Sequence, residues 1–258
     1  MTTNNKQLKE FLDLKTEQFN SASFIEHDPV SIPHRFSKKE DIEIAAFLAS
    51  IIAWGQRKTI ITNGNKLMQL MDEAPHDFIV NFTAKDLKPF EKFVHRTFNG
   101  TDCAFFMKSL KNIYKNPGGL ENAFCSDQHF KGENVGEAII AFRKNFFAVK
   151  HPGRTKKHIS DPSKNSSAKR LCMYLRWMVR KDNCGVDFGL WKKIKPAQLC
   201  LPLDVHTGNV SRQLKLLLRK QNDWQAVEEI TNALKKFDPV DPVKYDFALC
   251  GIGVSGGL

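Results

Sequence analysis

The amino-acid sequence predicts an all-α protein. Apolar residues recur at intervals of three and four in successive segments, which is the spacing of amphipathic helices. No segment of useful length alternates apolar and polar residues as a half-buried strand does. Of the 258 residues, 41% are hydrophobic and 20 are Phe. The chain can therefore pack a large core between its helices.

The predicted helices follow one another along the whole chain. The segment EDIEIAAFLASIIAW, residues 40–54, reads as a core helix with Ser37 and Glu40 as its capping box. A second helix covers residues 59–74 and ends before Pro75. Further helices are predicted at residues 101–115, 132–149, 167–180 and 224–236, and after Asp241 and Pro242. Within these, Phe146 and Phe147 are predicted core residues.

Composition indicates a cytoplasmic location. No apolar run approaches the roughly 18 residues that span a bilayer, and the first fifteen residues are too polar for a signal peptide. The six cysteines are widely spaced and predicted to be free, mostly buried thiols. None has the spacing of a zinc or iron–sulfur site, so no metal is expected. They are Cys103, Cys125, Cys172, Cys184, Cys200 and Cys250.

The net charge of +11 favours polyanionic partners, nucleic acid before acidic membranes. Between residues 150 and 170, which we call the basic segment, seven Lys and Arg face a single acid, Asp161. The seven are Lys150, Arg154, Lys156, Lys157, Lys164, Lys169 and Arg170. Pro, Ser and Gly are frequent there, which predicts a loop. A solvated basic loop and a nucleic-acid-binding loop are both consistent with this pattern.

A carboxylate, Asp204, ends the apolar run at residues 199–203 and precedes a helical pattern. The apolar residues of that helix are Val205, Val210, Leu214 and Leu217. Asp is a favoured helix N-cap, and capping alone accounts for its position. A carboxylate here is also suited to stabilising positive charge or carrying protons. Both interpretations stay open at this point.

Lys169 lies 35 residues before Asp204, in the first turn of the helix predicted at residues 167–180. The positive end of the helix dipole and the neighbouring Arg170 favour the neutral amine. Burial against Leu171 and Trp177 has the same effect. A neutral lysine amine is a nucleophile for carbonyl-like carbons. The alternative is an ordinary solvated lysine on a helix.

These two segments resemble motifs of the helix-hairpin-helix base-excision DNA glycosylases, above all those of the archaeal 8-oxoguanine branch. AKRLCMY around Lys169 is similar to K-[RT]-x-x-x-[FY], which carries the nucleophilic lysine of that branch. LPLDVH around Asp204 is similar to I-P-[LIV]-D-x-[HR], which carries its catalytic aspartate. The resemblance implies these roles for Lys169 and Asp204.

Two further segments carry the resemblance. EIAAFLASIIAWGQRK is similar to the N-terminal core helix beside the base pocket, which implies that Trp54 and Gln56 line that pocket, although Trp54 equally suits a core. YDFALCGIG is similar to D-x-x-L-W-x-x-G, whose Asp reads the flipped base. This implies base recognition by Asp246, with an ordinary polar helix residue as the alternative. Cys250 stands where that motif has a stacking Trp, so the identity of the damaged base that is recognised stays open.

The phosphate-binding hairpin of the superfamily has G-x-G before the lysine, whereas this chain has KNSSAK. A serine there is predicted to cap the lysine helix. The predicted DNA-phosphate contacts are Lys164, Ser166, Ser167, Arg170, Arg57 and Lys58. His206 is predicted to face solvent, and residues 94–102, VHRTFNGTD, contain a polar turn that contacts DNA or caps a helix. The blocks HRFSKKEDIEIAAFLASIIAWGQRK and VHRTFNGTD indicate a bacterial family of this type.

The resemblance implies a two-subdomain helical fold with the active site in an interdomain cleft. Residues of about 1–55 and 205–258 form one subdomain, and about 56–204 form the other. The expected function is excision of a damaged base, such as an oxidised purine, from double-stranded DNA, with AP-lyase activity. No cofactor is required, and a nucleoid-associated monomer is expected. The alternatives are a non-catalytic DNA- or RNA-binding protein and a protein-partner module.

Overall fold

The prediction of an all-α fold is confirmed. The structure, a computed structural model, describes residues 3–256, and these form twelve α-helices and one two-stranded antiparallel sheet. The helices form where apolar residues recur at helical spacing, since each must bury one face against its neighbours. None of the helices between residues 3 and 256 is both long enough and apolar enough to cross a bilayer.

The helices are named here in chain order. The first six are α1 (Thr3–Phe19), α2 (Ala22–Glu26), α3 (Lys39–Ile51), α4 (Arg57–Gln69), α5 (Pro75–Asn81) and α6 (Gly100–Tyr114). The next six are α7 (Gly119–Phe124), α8 (Gly136–Phe146), α9 (Lys169–Val179), α10 (Val205–Gln213), α11 (Trp224–Lys235) and α12 (Asp246–Val254). The strands are β1 (Val94–His95) and β2 (Phe98–Asn99). Short 3-10 helices occupy several of the connections, among them Gly153–His158, Pro162–Lys164 and Pro242–Tyr245.

The chain divides into two compact units whose boundaries differ from the predicted ones. Unit 1 contains the N-terminal segment up to Phe24, Lys131–Glu137 and the chain from Asp161 onward. Unit 2 contains Ile25–Phe130 and Ala138–Ser160. The N- and C-terminal helices share unit 1. Helix α9, however, belongs to that same unit, and α3 belongs to the other.

Unit 2 is built around α3. Every residue of this helix from Ile42 to Ile51 is buried, because α4, α5 and α7 surround it. Aromatic rings fill the space beside it, with Phe47 in contact with Phe106, Phe142 and Phe146 at centroid distances of 5.4–6.0 Å. Phe146 is fully buried, as predicted, and Phe147 is half-buried.

The ends of the unit 2 helices differ in detail from the predictions. Helix α3 begins at Lys39, and its N-cap Lys38 makes no side-chain capping hydrogen bond, so the predicted Ser37–Glu40 capping box is wrong. Helix α4 ends at Gln69, and Pro75 opens α5. Proline suits the first turn of a helix, where its missing N–H needs no partner.

Within residues 94–102, the stretch 94–99 forms a hairpin that the sequence did not predict. His95 pairs with Phe98 across a tight turn in which Arg96 has a φ of +54°. Asn99 then caps α6 in a capping box with Asp102. The capping alternative therefore holds for the end of this segment. Strands of two residues are too short to show an alternating pattern, which is why periodicity did not reveal them.

Unit 1 positions the candidate site. Helix α12 packs against both α1 and α10. Its Phe247 ring is also in edge contact with Phe24 of α2, at a centroid distance of 5.6 Å. The helical pattern after Asp204 extended to Leu217, but α10 ends at Gln213. The chain then turns through Lys215, which has a φ of +58°. Helices α9, α10 and α12 carry the residues described next.

Candidate active site

The structure brings Lys169 and Asp204 together. Lys169 Nζ lies 2.9 Å from Asp204 Oδ2, and both side chains are in unit 1. Lys169 is the first residue of α9, and Asp204 is the N-cap of α10. About a third of the lysine side chain (35%) and a quarter of the aspartate (26%) are exposed. A ligand arriving from solvent can therefore reach the pair.

Asp204 uses its two carboxylate oxygens for different partners. Oδ1 accepts hydrogen bonds from Thr207 N at 2.9 Å and Thr207 Oγ1 at 3.0 Å, whereas Oδ2 faces Lys169. Burial raises the pKa of Asp204, but the charge and hydrogen bond of Lys169, together with the Thr207 bonds, lower it below its ordinary value. Asp204 is thus both a helix cap and the partner of a lysine amine.

The turn before Lys169 is made without glycine. Asn165 and Ala168 adopt left-handed backbone conformations, with φ of +61° and +46°. These are conformations that glycine adopts without strain, so the chain turns here at a conformational cost. The predicted serine cap is wrong: Ala168 is the N-cap, and Ser166 Oγ instead accepts a hydrogen bond from Ala168 N at 3.4 Å.

The predicted phosphate contacts near this turn differ in accessibility. Lys164 is exposed at the end of the 3-10 helix Pro162–Lys164, while Ser166 and Ser167 are half-buried. Arg170 is half-buried, and burial lowers its pKa to about 10. Lys164 is therefore the member of this group most open to a phosphate.

Asp246, the predicted base-recognition residue, is engaged inside the protein. Its side chain is only 8% exposed, and Asp246 Oδ2 accepts a hydrogen bond from Arg176 Nη1. Cys250 lies one turn further along α12, on the same face, and is half-buried. The carboxylate that was predicted to read a base is bound to a buried arginine in this structure.

Burial raises the pKa of Asp246 to about 6, against the opposing charge of Arg176. The charge of Asp204 raises it further, and that of Lys169 lowers it. Asp246 is thus electrostatically coupled to the Lys169–Asp204 pair. Helices α10 and α12 pack together. The contact is close, since a Cβ atom on Gly253 of α12 would lie 3.0 Å from the Cβ of His206 in α10. The electrostatic coupling between Asp246 and Asp204 therefore acts between adjoining helices.

Two buried arginines, Arg176 of α9 and its C-cap residue Arg180, are the functional candidates that the sequence prediction missed. Arg176 also bonds to Asp187 through Nε at 3.2 Å, and Arg180 bonds to Asp187 and Asp241 at 3.0 and 2.9 Å. The signal was two arginines four residues apart in the otherwise apolar run LCMYLRWMVR. Arginine in an apolar helix is buried only when paired. Arg176 shares the face of Lys169, since seven residues are close to two turns.

The remaining base-pocket candidates and two of the phosphate-contact candidates belong to unit 2. Trp54 is half-buried, with its ring against those of His95 and His158 at centroid distances of 5.0 and 6.1 Å. Gln56 is exposed and is the N-cap residue of α4. Arg57 and Lys58 follow it in the first helical turn and are both exposed. Trp54 thus has the packing contacts of its core alternative, while the other three face solvent.

The first half of the basic segment belongs to unit 2 and is held there by a buried carboxylate. Asp102, which is fully buried, accepts a hydrogen bond from Thr155 Oγ1 at 2.8 Å and lies 3.4 Å from Arg154 and 3.2 Å from His158. Lys156 and Lys157, on the same 3-10 helix, remain exposed. An ordered backbone therefore presents these two lysines to solvent.

Two residues at the start of α10 are exposed. His206 faces solvent, as predicted. Val205 is 63% exposed, although the helical pattern assigned it to the apolar face. Among residues 3–256, no three His, Cys, Asp or Glu side chains come together as a metal site would require.

A known protein family matches this chain. The family model described as Protein of unknown function (DUF2400) matches residues 28–255, which is most of the chain. No curated protein and no solved structure matches the chain.

Proposed function

The chain therefore belongs to the family described as Protein of unknown function (DUF2400), and we propose that it is a DNA glycosylase with AP-lyase activity. The observation that supports this proposal most directly is the 2.9 Å contact between Lys169 Nζ and Asp204 Oδ2 at the N-termini of two helices. An amine and a carboxylate at this distance, both accessible, form a nucleophile and a group that exchanges its proton.

In this proposal the neutral amine of Lys169 attacks C1′ of a damaged deoxynucleotide. The C1′–N bond breaks, and the base leaves with the bonding electrons and takes up a proton. The amine loses a proton to Asp204, and the C1′–O4′ bond then breaks as O4′ takes up a proton, which leaves a protonated imine between Lys169 and C1′. Loss of a C2′ proton and departure of the 3′ phosphate oxygen complete the β-elimination. Hydrolysis of the imine by water regenerates the lysine.

Asp204 has two tasks in this sequence. Its Oδ2 accepts the proton that Lys169 must lose, and the ionised carboxylate stabilises positive charge at C1′ as the base departs. Thr207 supports both tasks, since its two hydrogen bonds to Oδ1 hold the carboxylate in place. A pKa below the ordinary value keeps Asp204 ionised at neutral pH.

Double-stranded DNA carrying a damaged base or an abasic site is the proposed substrate. The net charge of +11 and the exposed lysines of the basic segment support a polyanion. A base that reacts at C1′ inside a duplex must first be extruded from the stack. The resemblance of YDFALCGIG to a base-reading motif supports an oxidised purine, while Cys250 in place of Trp removes one stacking surface.

The deciding experiment is borohydride trapping. The protein is incubated with duplexes that contain an abasic site or 8-oxoguanine and reduced with sodium borohydride, and covalent adducts are resolved on a denaturing gel. We expect an adduct with the wild type and none with Lys169→Gln, because a glutamine cannot form an imine. Asp204→Asn should slow adduct formation about 100-fold or more, in the range of a lost general base.

Lys181→Gln is the matched control, since it removes one positive charge from an exposed lysine elsewhere in unit 1. It should leave the adduct unchanged. An adduct that persists in Lys169→Gln would exclude Lys169 as the nucleophile. Absence of an adduct with the wild type on both substrates would reject the glycosylase–lyase proposal.

A non-catalytic nucleic-acid-binding protein is the second candidate. The engagement of Asp246 by Arg176 favours it, because the carboxylate expected to read a base has an internal partner. Such a protein would bind DNA or RNA with unchanged affinity in Lys169→Gln and form no adduct. Asp204 would then serve as the cap of α10 alone.

A further inference from the structure

One loop forms hydrogen bonds with both of the chain segments that carry Lys169 and Asp204. Residues 219–223, which we call the bridging loop, lie between α10 and α11 in unit 1. The loop contains two adjacent side chains, Asn222 and Asp223, that bond to different segments. Neither residue was singled out from the sequence.

Asp223 holds the segment that precedes Lys169. Asn165 Nδ2 donates to Asp223 Oδ2 at 3.1 Å, and Trp224 N donates to the carbonyl oxygen of Asn165 at 3.3 Å. Ser166 forms an isolated antiparallel bridge with Asp223. The left-handed turn that leads into α9 is therefore tied to the loop by both backbone and side chain.

Asn222 holds the segment that contains Asp204. Its Nδ2 donates to the carbonyl oxygen of Asp204 at 3.0 Å, which also accepts the helical bond from Gly208 N at 2.9 Å. Arg212 fixes the loop in turn, through bonds to Asn222 Oδ1 at 2.6 Å and to the carbonyl oxygens of Arg219 and Lys220. The main chain of Asp204 is thus held by its own helix and by the loop.

Gly208 makes room for this contact. A Cβ at this position would lie 2.8 Å from Asn222 Oδ1 and 2.8 Å from Arg212 Nη1, closer than packed atoms approach. Glycine inside a helix costs about 1 kcal/mol relative to alanine. A larger residue at this position of α10 would therefore displace the Asn222 amide or the Arg212 side chain.

We propose that the bridging loop is a positioning element, in which Asn222 and Asp223 set the separation of Lys169 Nζ and Asp204 by holding the segments on which they are placed. This inference rests on the proposed function of the pair. The lysine side chain has four rotatable bonds, so its amine meets the carboxylate reliably only when both backbones are fixed. Misplacement of reacting groups by about 1 Å can cost a reaction about 100-fold.

Asn222→Ala is the informative change, because Asp223 also caps α11 through Ala226 N and binds Arg219. The first measurement is a carbon-13 NMR titration of the Asp204 carboxyl in the free protein. We expect the pKa of Asp204 to rise toward its ordinary value in Asn222→Ala as the contact with Lys169 loosens. The second is the single-turnover rate of borohydride-trapped adduct at saturating abasic DNA, which should fall about tenfold with unchanged DNA affinity.

Gln221→Ala is the matched control: it is exposed on the same loop and contacts neither segment that the loop holds. It should leave both readouts at their wild-type values. An Asp204 titration in Asn222→Ala identical to that of the wild type would overturn the proposal. Should Asn222→Ala fail to fold, Gly208→Ala displaces the same amide with a residue that favours helix, and the same two results are expected.

The two readouts separate this inference from the proposed function. If the wild type forms no adduct, the glycosylase–lyase proposal fails, and the titration alone tests whether the loop holds the pair. If the adduct forms at equal rates in wild type and Asn222→Ala while the titration is unchanged, the chemistry stands and the positioning role is rejected.

Discussion

At the scale of single residues, the chemistry of the site depends on how each carboxylate shares its oxygens. Asp204 gives one oxygen to Thr207 and the other to Lys169, so helix capping and the contact with the lysine amine do not compete for it. Asp246 accepts a hydrogen bond from a buried arginine, and the negative charge of Asp204 raises its pKa. The two carboxylates therefore have opposite pKa shifts within one site, a pattern frequent in acid–base pairs.

Asp246 predicts a pH dependence of stability. Its pKa is raised to about 6 in the folded protein, so its contribution is fully present below about pH 4 and is lost as the pH rises through 6. The difference in unfolding free energy between wild type and Asp246→Asn should therefore decrease from pH 4 to pH 7. Urea unfolding followed by circular dichroism measures both proteins across this range.

Leu14→Ala is a suitable control for that series, since this exposed position on α1 carries no titratable group. Its stability curve should run parallel to that of the wild type. A wild-type curve that also stays parallel to that of Asp246→Asn would show that folding leaves the pKa of Asp246 unchanged.

At the scale of elements, α9 carries both the candidate nucleophile and the anchors that hold the helix. Arg176 lies two turns after Lys169 and bonds to Asp246 of α12 and to Asp187. Its guanidinium also lies 4.4 Å from the centre of the Phe247 ring. Since α12 packs against α10, which Asp204 caps, these contacts connect all three helices of the site.

Replacing Arg176 with leucine should be severely destabilising. Asp246 and Asp187 would lose a partner in a buried environment, and breaking a buried ion pair from one side costs about 3–5 kcal/mol. Asp246→Asn should cost less, because Arg176 then keeps Asp187. Urea unfolding at pH 7 compares the two, with exposed Lys181→Leu as a control expected within about 0.5 kcal/mol of wild type. Equal losses in the two buried variants would contradict this account of the network.

At the scale of the whole molecule, the chain carries an excess of positive charge. A net charge of +11 attracts polyanions at long range. Part of this charge is carried by exposed lysines on an ordered 3-10 helix. Asp102 holds the 3-10 helix Gly153–His158 by its buried carboxylate, while Lys156 and Lys157 on that helix stay exposed. Their charge is therefore displayed on an ordered backbone.

Binding to duplex DNA should depend steeply on salt, because each neutralised phosphate releases condensed counterions. The double variant Lys156→Gln, Lys157→Gln should reduce the slope of log affinity against log salt by about 2. Fluorescence anisotropy with a labelled duplex between 50 and 200 mM salt measures the slope. Lys85→Gln, Lys88→Gln removes the same charge from exposed positions of unit 2 and should change the slope less. Equal slopes for the two double variants would show that the basic segment makes no special contact.

The helical character of the chain was determined by the sequence alone, because periodicity and turn residues are local properties. Helices α6, α9 and α11 lie close to their predicted positions, whereas α8 is shorter than predicted at both ends. The N-cap role of Asp204 was one of the two interpretations that its sequence position allowed. Order along the chain and residue type also singled out Lys169 with Asp204, through the resemblance of two short motifs. Their contact at 2.9 Å agrees with that pairing.

Tertiary structure alone decided which polar groups meet. The partner of Asp246 is Arg176, seventy residues away along the chain, and the bond of Asn222 to the Asp204 carbonyl depends on how a loop folds back over α10. Val205 fits the apolar pattern yet its side chain is 63% exposed. Such contacts depend on the path of distant segments through space, and no local periodicity encodes that path.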